Sequence, residues 1–507
     1  MLKITLVRKE LAMVKAKRPP AFLRALCVLA GVLAAAVFVA CASSGGGIDA
    51  FRDVDSAAMR HDFDAALEAI DAGMEDEKSP LYADNNLISL FLDTGMLRHF
   101  GGHFRPSSQD LLEAERLISE AFTKSVSADF MVWLSNDNAR EYAGEDFEDI
   151  YLSVFNALNF YNEGNFEGAM VEIRKLTMDP AGKLPQLAMK YENARRSFAS
   201  GFEGIMRSMQ ISPEDAMPPG ADLAGRVQDL GTFSDSALAR YLSVIFYLAN
   251  GNQDSARIEY ARLQEAFASN GEIYNHPIPA AASGMLEIPA GKGRLNVLSF
   301  TGLSPFKEEH VFIGNFGFLA LHAALNPLVP NGFESRELHR PRFRLPIMVE
   351  SNNVIDRVEV TVEGQGTFAM EPIEDIGRVV HATFNNRFVD MYFRTYIRVL
   401  MRYVAADIAA AQAGSLAANN TNALAGIAAR KLAVTAAIAA SDALEGADIR
   451  MGRFLPNMAR VGAIDLDPGT YDVTVNYYAG RRLLESEKRS VQVTPGGSNL
   501  IQAVKLR

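Results

Sequence analysis

Ile288-Pro-Ala-Gly-Lys-Gly-Arg-Leu-Asn-Val-Leu-Ser-Phe300 marks the point where the chain changes character. Upstream, from about Asp49 to Ser283, apolar residues recur at helical spacing with turn residues between them. Downstream of the Pro-Ala-Gly-Lys-Gly break come β-rich runs. Leu295–Phe300 and Arg342-Phe-Arg-Leu-Pro-Ile-Met-Val349 read as strands, and Val358-Glu-Val-Thr-Val362 alternates with the period of a half-buried strand. Four further strands are expected at 461–466, 471–477, 490–493 and 500–506, with Asp467-Pro-Gly-Thr-Tyr471 and Pro495-Gly-Gly497 supplying turns.

Between the two groups of strands lies a helical stretch that begins near Ile373-Glu-Asp375. It contains Arg394, Arg398 and Arg402, whose spacing of four puts them on one face. This basic stripe is a candidate partner-binding surface, but a solvated face, or pairing with nearby acids, is the favoured reading. The alanine-rich segment from Ala405 to Ala443 is expected to form two close-packed helices with a loop at Asn419-Asn420-Thr421-Asn422. Arg430-Lys431 and the asparagines make a membrane span costly there.

In the helical half three segments look alike: His61-Asp-Phe-Asp-Ala-Ala-Leu-Glu-Ala-Ile70, Gly164-Asn-Phe-Glu-Gly-Ala-Met-Val-Glu-Ile173 and Gly251-Asn-Gln-Asp-Ser-Ala-Arg-Ile-Glu-Tyr260. Each opens with turn residues and places alanine five positions on. Around the second, Ala157, Phe160, Gly164, Phe166, Ala169, Ile173, Leu176 and Pro180 resemble a tetratricopeptide (TPR) helix pair. The segments start 103 and 87 positions apart, unlike the TPR period of about 34, so any array is interrupted and a generic helical bundle remains the alternative.

The fold class expected is therefore α+β: a TPR-like α-helical N-terminal domain (49–285) followed by a β-sandwich-like C-terminal domain. The latter comprises a first β segment (286–372), inserted helices (373–446) and a closing β segment (447–507).

At the N-terminus, basic residues through Arg24 precede sixteen residues from Ala25 to Ala40 without a charge, the layout of a signal peptide, with Met1 or Met13 as its start. Phe38-Val39-Ala40-Cys41 resembles the lipobox of bacterial lipoproteins, with phenylalanine where leucine is usual, and 41–48 reads as a flexible tether. The resemblance implies cleavage after residue 40, lipid on Cys41 and a membrane held through that anchor; an uncleaved signal anchor is the alternative. The absence of aspartate after Cys41 implies the outer membrane if the host has two. Loss of residues 1–40 leaves 43 basic and 60 acidic side chains, a charge of −17 in place of −11, which argues against nucleic acid and anionic lipid headgroups as general partners.

Several stretches together resemble a family of uncharacterised bacterial lipoproteins that join a TPR-like half to a β-containing half. They are Gly302-Leu-Ser-Pro-Phe-Lys-Glu308, the helix from Arg394 to Tyr403, Ala447-Asp-Ile-Arg450 with Leu455-Pro456, and Pro468-Gly-Thr-Tyr471. The chain departs from that family at Met451-Gly452, where an aromatic is usual. The resemblance implies a cell-envelope role, linked in some members to accessory lipoproteins of peptidoglycan synthesis.

Enzymatic motifs are sparse. With cysteine only at 27 and 41, thiol chemistry is excluded from the body of the chain. Ser304-Pro-Phe-Lys307 has the S-x-x-K spacing of serine acyl-enzymes without a companion S-D-N or K-T-G, and Pro305 suggests a turn. Glu374-Asp375 is a candidate acid–base pair, although acids at helix starts have a dipole reason of their own. No catalytic residue, cofactor or metal ligand is assigned. The expected function is a membrane-anchored envelope scaffold or adaptor that binds an envelope protein or peptide. A cell-wall hydrolase or transferase and a secretion or pore component are the alternatives.

Overall fold

The structure, a computed structural model, describes residues 48–76, 79–126, 140–178, 181–187, 189–190, 233–313 and 342–507. The expected signal segment, Cys41 and residues 42–47 of the expected tether lie outside the described residues. The chain is mixed α+β, with helices in its N-terminal half and sheets in its C-terminal half.

The helices are α1 (Arg52–Met59), α2 (Phe63–Met74), α3 (Leu87–Phe100), α4 (Phe104–Val126), α5 (Asp146–Asn162), α6 (Phe166–Thr177), α7 (Ala237–Ala249), α8 (Gln253–Ser269) and the short α9 (Ala280–Ser283). The three look-alike segments form one device, at the α1–α2, α5–α6 and α7–α8 junctions. His61, Gly164 and Gly251 each take positive φ, at 60°, 73° and 70°. The next residue, Asp62, Asn165 or Asn252, caps the following helix by accepting from the N–H of Ala65, Gly168 or Ser255. Its own N–H returns to the carbonyl of Ala57, Phe160 or Tyr247, closing the preceding helix. Ala66, Ala169 and Ala256 then sit fully buried where the paired helices meet.

The strands are β1 (Gly293–Leu303), β2 (Phe306–Ile313), β3 (Arg342–Val349), β4 (Arg357–Val362), β5 (Gly366–Ala369), β6 (Glu371–Asp375), β7 (Pro456–Leu466), β8 (Gly469–Ala479), β9 (Arg482–Val493) and β10 (Gly496–Lys505). Two four-stranded sheets run β10-β1-β7-β6 and β5-β4-β8-β9, and β2 pairs with β3. Strand β1 is parallel to β10, with Asn296 opposite Leu500, and antiparallel to β7, with Val297 opposite Gly462.

Strand β1 is buried over ten of its eleven residues. Leu298 and Phe300 face the helical core, where Phe300 meets Phe155 at 4.9 Å between ring centroids. Leu295 and Val297 face a second core shared with Val358, Val360, Val473 and Val475 of the other sheet. Burial on both faces accounts for the near-continuous apolar run from Leu295 to Phe300. Three layers result: helices, first sheet, second sheet. The outer edge of β10 is closed by side chains, since Leu500 N–H donates to Tyr161 Oη at 3.0 Å and Arg489 donates to the Gln502 carbonyl at 2.6 Å.

Helices α10 (Ile376–Asn420) and α11 (Ala423–Leu444) form the hairpin expected at the asparagines. They are inserted between β6 and β7, which are antiparallel neighbours in the first sheet. Asp375 caps α10 by accepting from Arg378 N–H.

Ala substitution at Gly164 or Gly251 costs about 1 kcal/mol each, because a β-carbon there meets nothing within 4 Å and only the left-handed backbone objects. Ala169→Leu costs roughly 1 to 3 kcal/mol through overpacking. Urea titration checks both: the midpoint falls while the slope holds, and an unchanged midpoint for Ala169→Leu would refute the tight helix contact.

Candidate functional site

Two stretches that carried the family resemblance, Gly302–Glu308 and Ala447–Pro456, meet at the seam between the halves. Ser304 N–H donates to the Leu455 carbonyl at 2.8 Å, and Lys307 N–H donates to Met451 Sδ at 3.2 Å. Lys307 Nζ is bound by the Glu145 carboxylate and by the Arg450 carbonyl at 3.1 Å. Arg450 pairs with Asp448 at 2.8 Å and donates to the carbonyls of Asn85 and Arg140, at 3.0 and 2.8 Å. Its guanidinium carbon stands 5.3 Å from the centroid of the Tyr142 ring. Arg453 pairs with Asp55 at 2.6 Å and lies 4.3 Å over Phe51.

The backbone of this strap ends on two buried acids of the helical half. Gly452 N–H donates to Glu148 at 2.6 Å and Arg453 N–H to Asp93 at 2.5 Å. Each acid also accepts from a tyrosine, Asp93 from Tyr82 at 2.5 Å and Glu148 from Tyr142 at 2.7 Å. Burial pushes both carboxyls up to about 7, although the hydrogen bonds they accept favour the ionised form. The neighbouring charge of Glu145 adds to the rise at Glu148.

A third acid, Glu374 on β6, is fully buried against the start of α7. It accepts from Tyr151 at 2.6 Å, Tyr274 at 2.7 Å, Ser236 at 2.9 Å and the N–H of Leu238 at 3.1 Å. Burial raises its pKa against these four donors. His99 is likewise enclosed, 2.6 Å from Asn159 and 3.0 Å from Gln502 of β10, and burial lowers its pKa.

These groups join segments distant in sequence, and the carboxylates of Asp93, Glu148 and Glu374 are buried. Ser304 lies between β1 and β2, where Pro305 suggested a turn, and Lys307 is spent on Glu145 and Arg450 rather than on Ser304. Glu374 and Asp375, read together as an acid–base pair, have separate structural tasks. At Arg398 the pairing reading of the basic stripe holds and the partner-binding one is corrected: the side chain is 1% exposed and donates to Glu445 at 2.7 Å and to Thr395 at 3.1 Å, so it faces the interior. A four-residue spacing defines a face but not what packs on it. The side chains of Arg394 and Arg402 lie outside the described residues.

Asp93, Glu148, Tyr82 and Tyr142 were not singled out from sequence. A lone acid within the apolar run Leu87–Leu97 was the available signal for Asp93. Glu148 was hidden by its second task, a reciprocal cap with Glu145 at the start of α5.

An accessible concavity lies elsewhere on the helical half, a groove of about 460 Å3 lined by Glu115, Val171, Arg174, Lys175, Met178, Ala181 and Lys183. Lys175 and Lys183 both pair with Glu115, at 2.7 and 2.8 Å, while Val171 and Met178 are exposed. Among the described residues no group of acids and histidines has the arrangement of a metal site.

Asp93 and Glu148 carry folded pKa values near 7, against about 4 in an unfolded chain. Their contribution to stability is full below about pH 4 and is lost as the pH rises through 7. Relative to Asp93→Asn, the wild type should lose on the order of 1 to 3 kcal/mol between pH 5 and 8; parallel melting curves across that range would exclude a raised Asp93.

Glu374→Ala strands its four donors and should cost roughly 3 to 5 kcal/mol. Glu374→Gln, which keeps an acceptor, should cost less than half as much in the same denaturant titration. Comparison with protein-family models, with curated proteins and with solved structures returns no match, so a functional reading rests on the sequence and on these arrangements.

Proposed function

We propose that the chain is a bacterial cell-envelope scaffold, attached to a membrane through lipid on Cys41, whose helical half holds a protein or peptide partner. The observation that carries this reading is the contrast between enclosed chemistry and exposed grip. Asp93, Glu148 and Glu374 are all sealed in the interior, whereas the groove beside α6 offers exposed Val171 and Met178 with Arg174 at its rim. An apolar strip with the Arg174 guanidinium at its rim fits a peptide carrying an acidic side chain or a terminal carboxylate.

In this reading the helix pairs joined at His61, Gly164 and Gly251 are divergent TPR-like units, and the two facing sheets form a sandwich-like platform that stiffens them. The shared core from Phe155 to Phe300 supports that division of labour, because a partner seated on the helices pulls against the sheets rather than against a hinge. The acyl-enzyme alternative is weakened by Lys307, which is committed to Glu145. A role as an accessory of cell-wall synthesis, at the outer membrane where the host has two, follows from the family resemblance.

One experiment in the native host reads both halves of the proposal. A photoreactive amino acid at Val171, in the wild-type and Cys41→Ala chains, should give a discrete adduct in the envelope fraction only when the mature protein carries lipid mass on Cys41. An unmodified Cys41 would refute the anchor. Adducts unchanged by Met178→Asp would refute the groove.

A further inference from the structure

We infer that the α10–α11 hairpin docks on an anionic lipid surface through the outer face of α11. Leu424, Ile427, Ala428, Lys431, Leu432 and Thr435 are all exposed on that helix, opposite buried Gly426, Ala433 and Val434. Leu424 is 77% exposed, Leu432 58% and Ile427 53%, and Leu416 of α10 adds a further 55% near the same end. Solvated aliphatic side chains gathered on one helix face call for a cover.

Charge identifies the cover. Between residues 408 and 441 the only ionisable side chains are Arg430 and Lys431, in a chain whose net charge is −11. A cationic, aliphatic helix face complements acidic headgroups above acyl chains. A second copy of this chain fits worse, because two such faces related by a twofold axis would bring lysines together with no acid on the face to pair them.

Geometry favours lying on the membrane over crossing it. Among the described residues no helix is long and apolar enough to span a bilayer. The loop Asn419-Asn420-Thr421-Asn422 leaves polar amides at the tip, which belong at the headgroups. The two helices of the hairpin are closely packed: Gly414 and Gly426 bring the backbones so near that a β-carbon on Gly426 would stand 2.8 Å from the Gly414 carbonyl. Ala410, Ala433 and Val434 form a small core of their own. At 1.5 Å per residue the 45 residues of α10 extend about 67 Å, enough to carry the tip well beyond the sheets that hold its base.

The docking is independent of lipid on Cys41, so the test uses a readout local to the hairpin in the full chain. Trp133, the single tryptophan, is replaced by phenylalanine and Leu424→Trp introduces a reporter. On vesicles of phosphatidylglycerol and phosphatidylcholine, brominated acyl chains should at least halve its fluorescence. Pure phosphatidylcholine vesicles should do much less, and added salt should weaken the effect. Lys431→Glu and Ile427→Asp, both at exposed positions, should each restore the signal with helix content unchanged by circular dichroism. A reporter at exposed Leu483 on β9 should remain unquenched whatever tethers the chain. Absence of quenching at 424, equal quenching at 483, or a concentration-dependent blue shift without lipid, which would mean a second copy covers the face, would each overturn the inference.

Discussion

Strand β1 has no solvent face, and the layer order of the molecule follows from that constraint. A strand buried on both sides must find apolar partners above and below while its backbone is paired left and right. The helices α5 and α7 meet one face, with Tyr241 reaching Asn296 at 3.1 Å, and the second sheet meets the other. Strands β7 and β10 complete its hydrogen bonds. Moving the register by one residue would exchange Val297 with Leu298 and present each core with the wrong side chains.

The buried acids Asp93, Glu148 and Glu374 inside these layers are linked rather than idle. Asp93 and Glu148 take N–H groups from Arg453 and Gly452, and Glu374 gathers donors from α5, α7 and the segment around Tyr274. Each acid sits where backbone donors converge from a distant part of the chain. Such a link is directional, unlike apolar contact, and it fixes how the helices are seated on the sheets.

Local signals were legible and long-range ones were not. The turn at Asn419–Asn422, the strand from Arg357 to Val362 and the equivalence of His61, Gly164 and Gly251 all follow from residues within a few positions of each other. Strand β2 was missed because Lys307-Glu-Glu-His310 lacks apolar alternation; its pairing partner β3 lies across a gap in sequence that no local pattern spans. The burial of Arg398 and of the three acids depends on segments 47 to 360 positions away, as with Glu445 for Arg398 and Arg453 for Asp93. Neither periodicity nor propensity carries that information. Candidate sites suffered for the same reason, since solvent access is decided by what arrives from elsewhere.

The parallel pairing of β1 with β10 has a kinetic consequence. Asn296 hydrogen-bonds the Asn499 carbonyl across 203 positions, so the central strand lacks one neighbour until β10 is present. Closing so long a loop precedes the energetic return from the contact, which slows folding. A chain threaded through a narrow opening with its N-terminus leading would therefore remain unlocked during passage, and its central strand would close only once β10 had emerged.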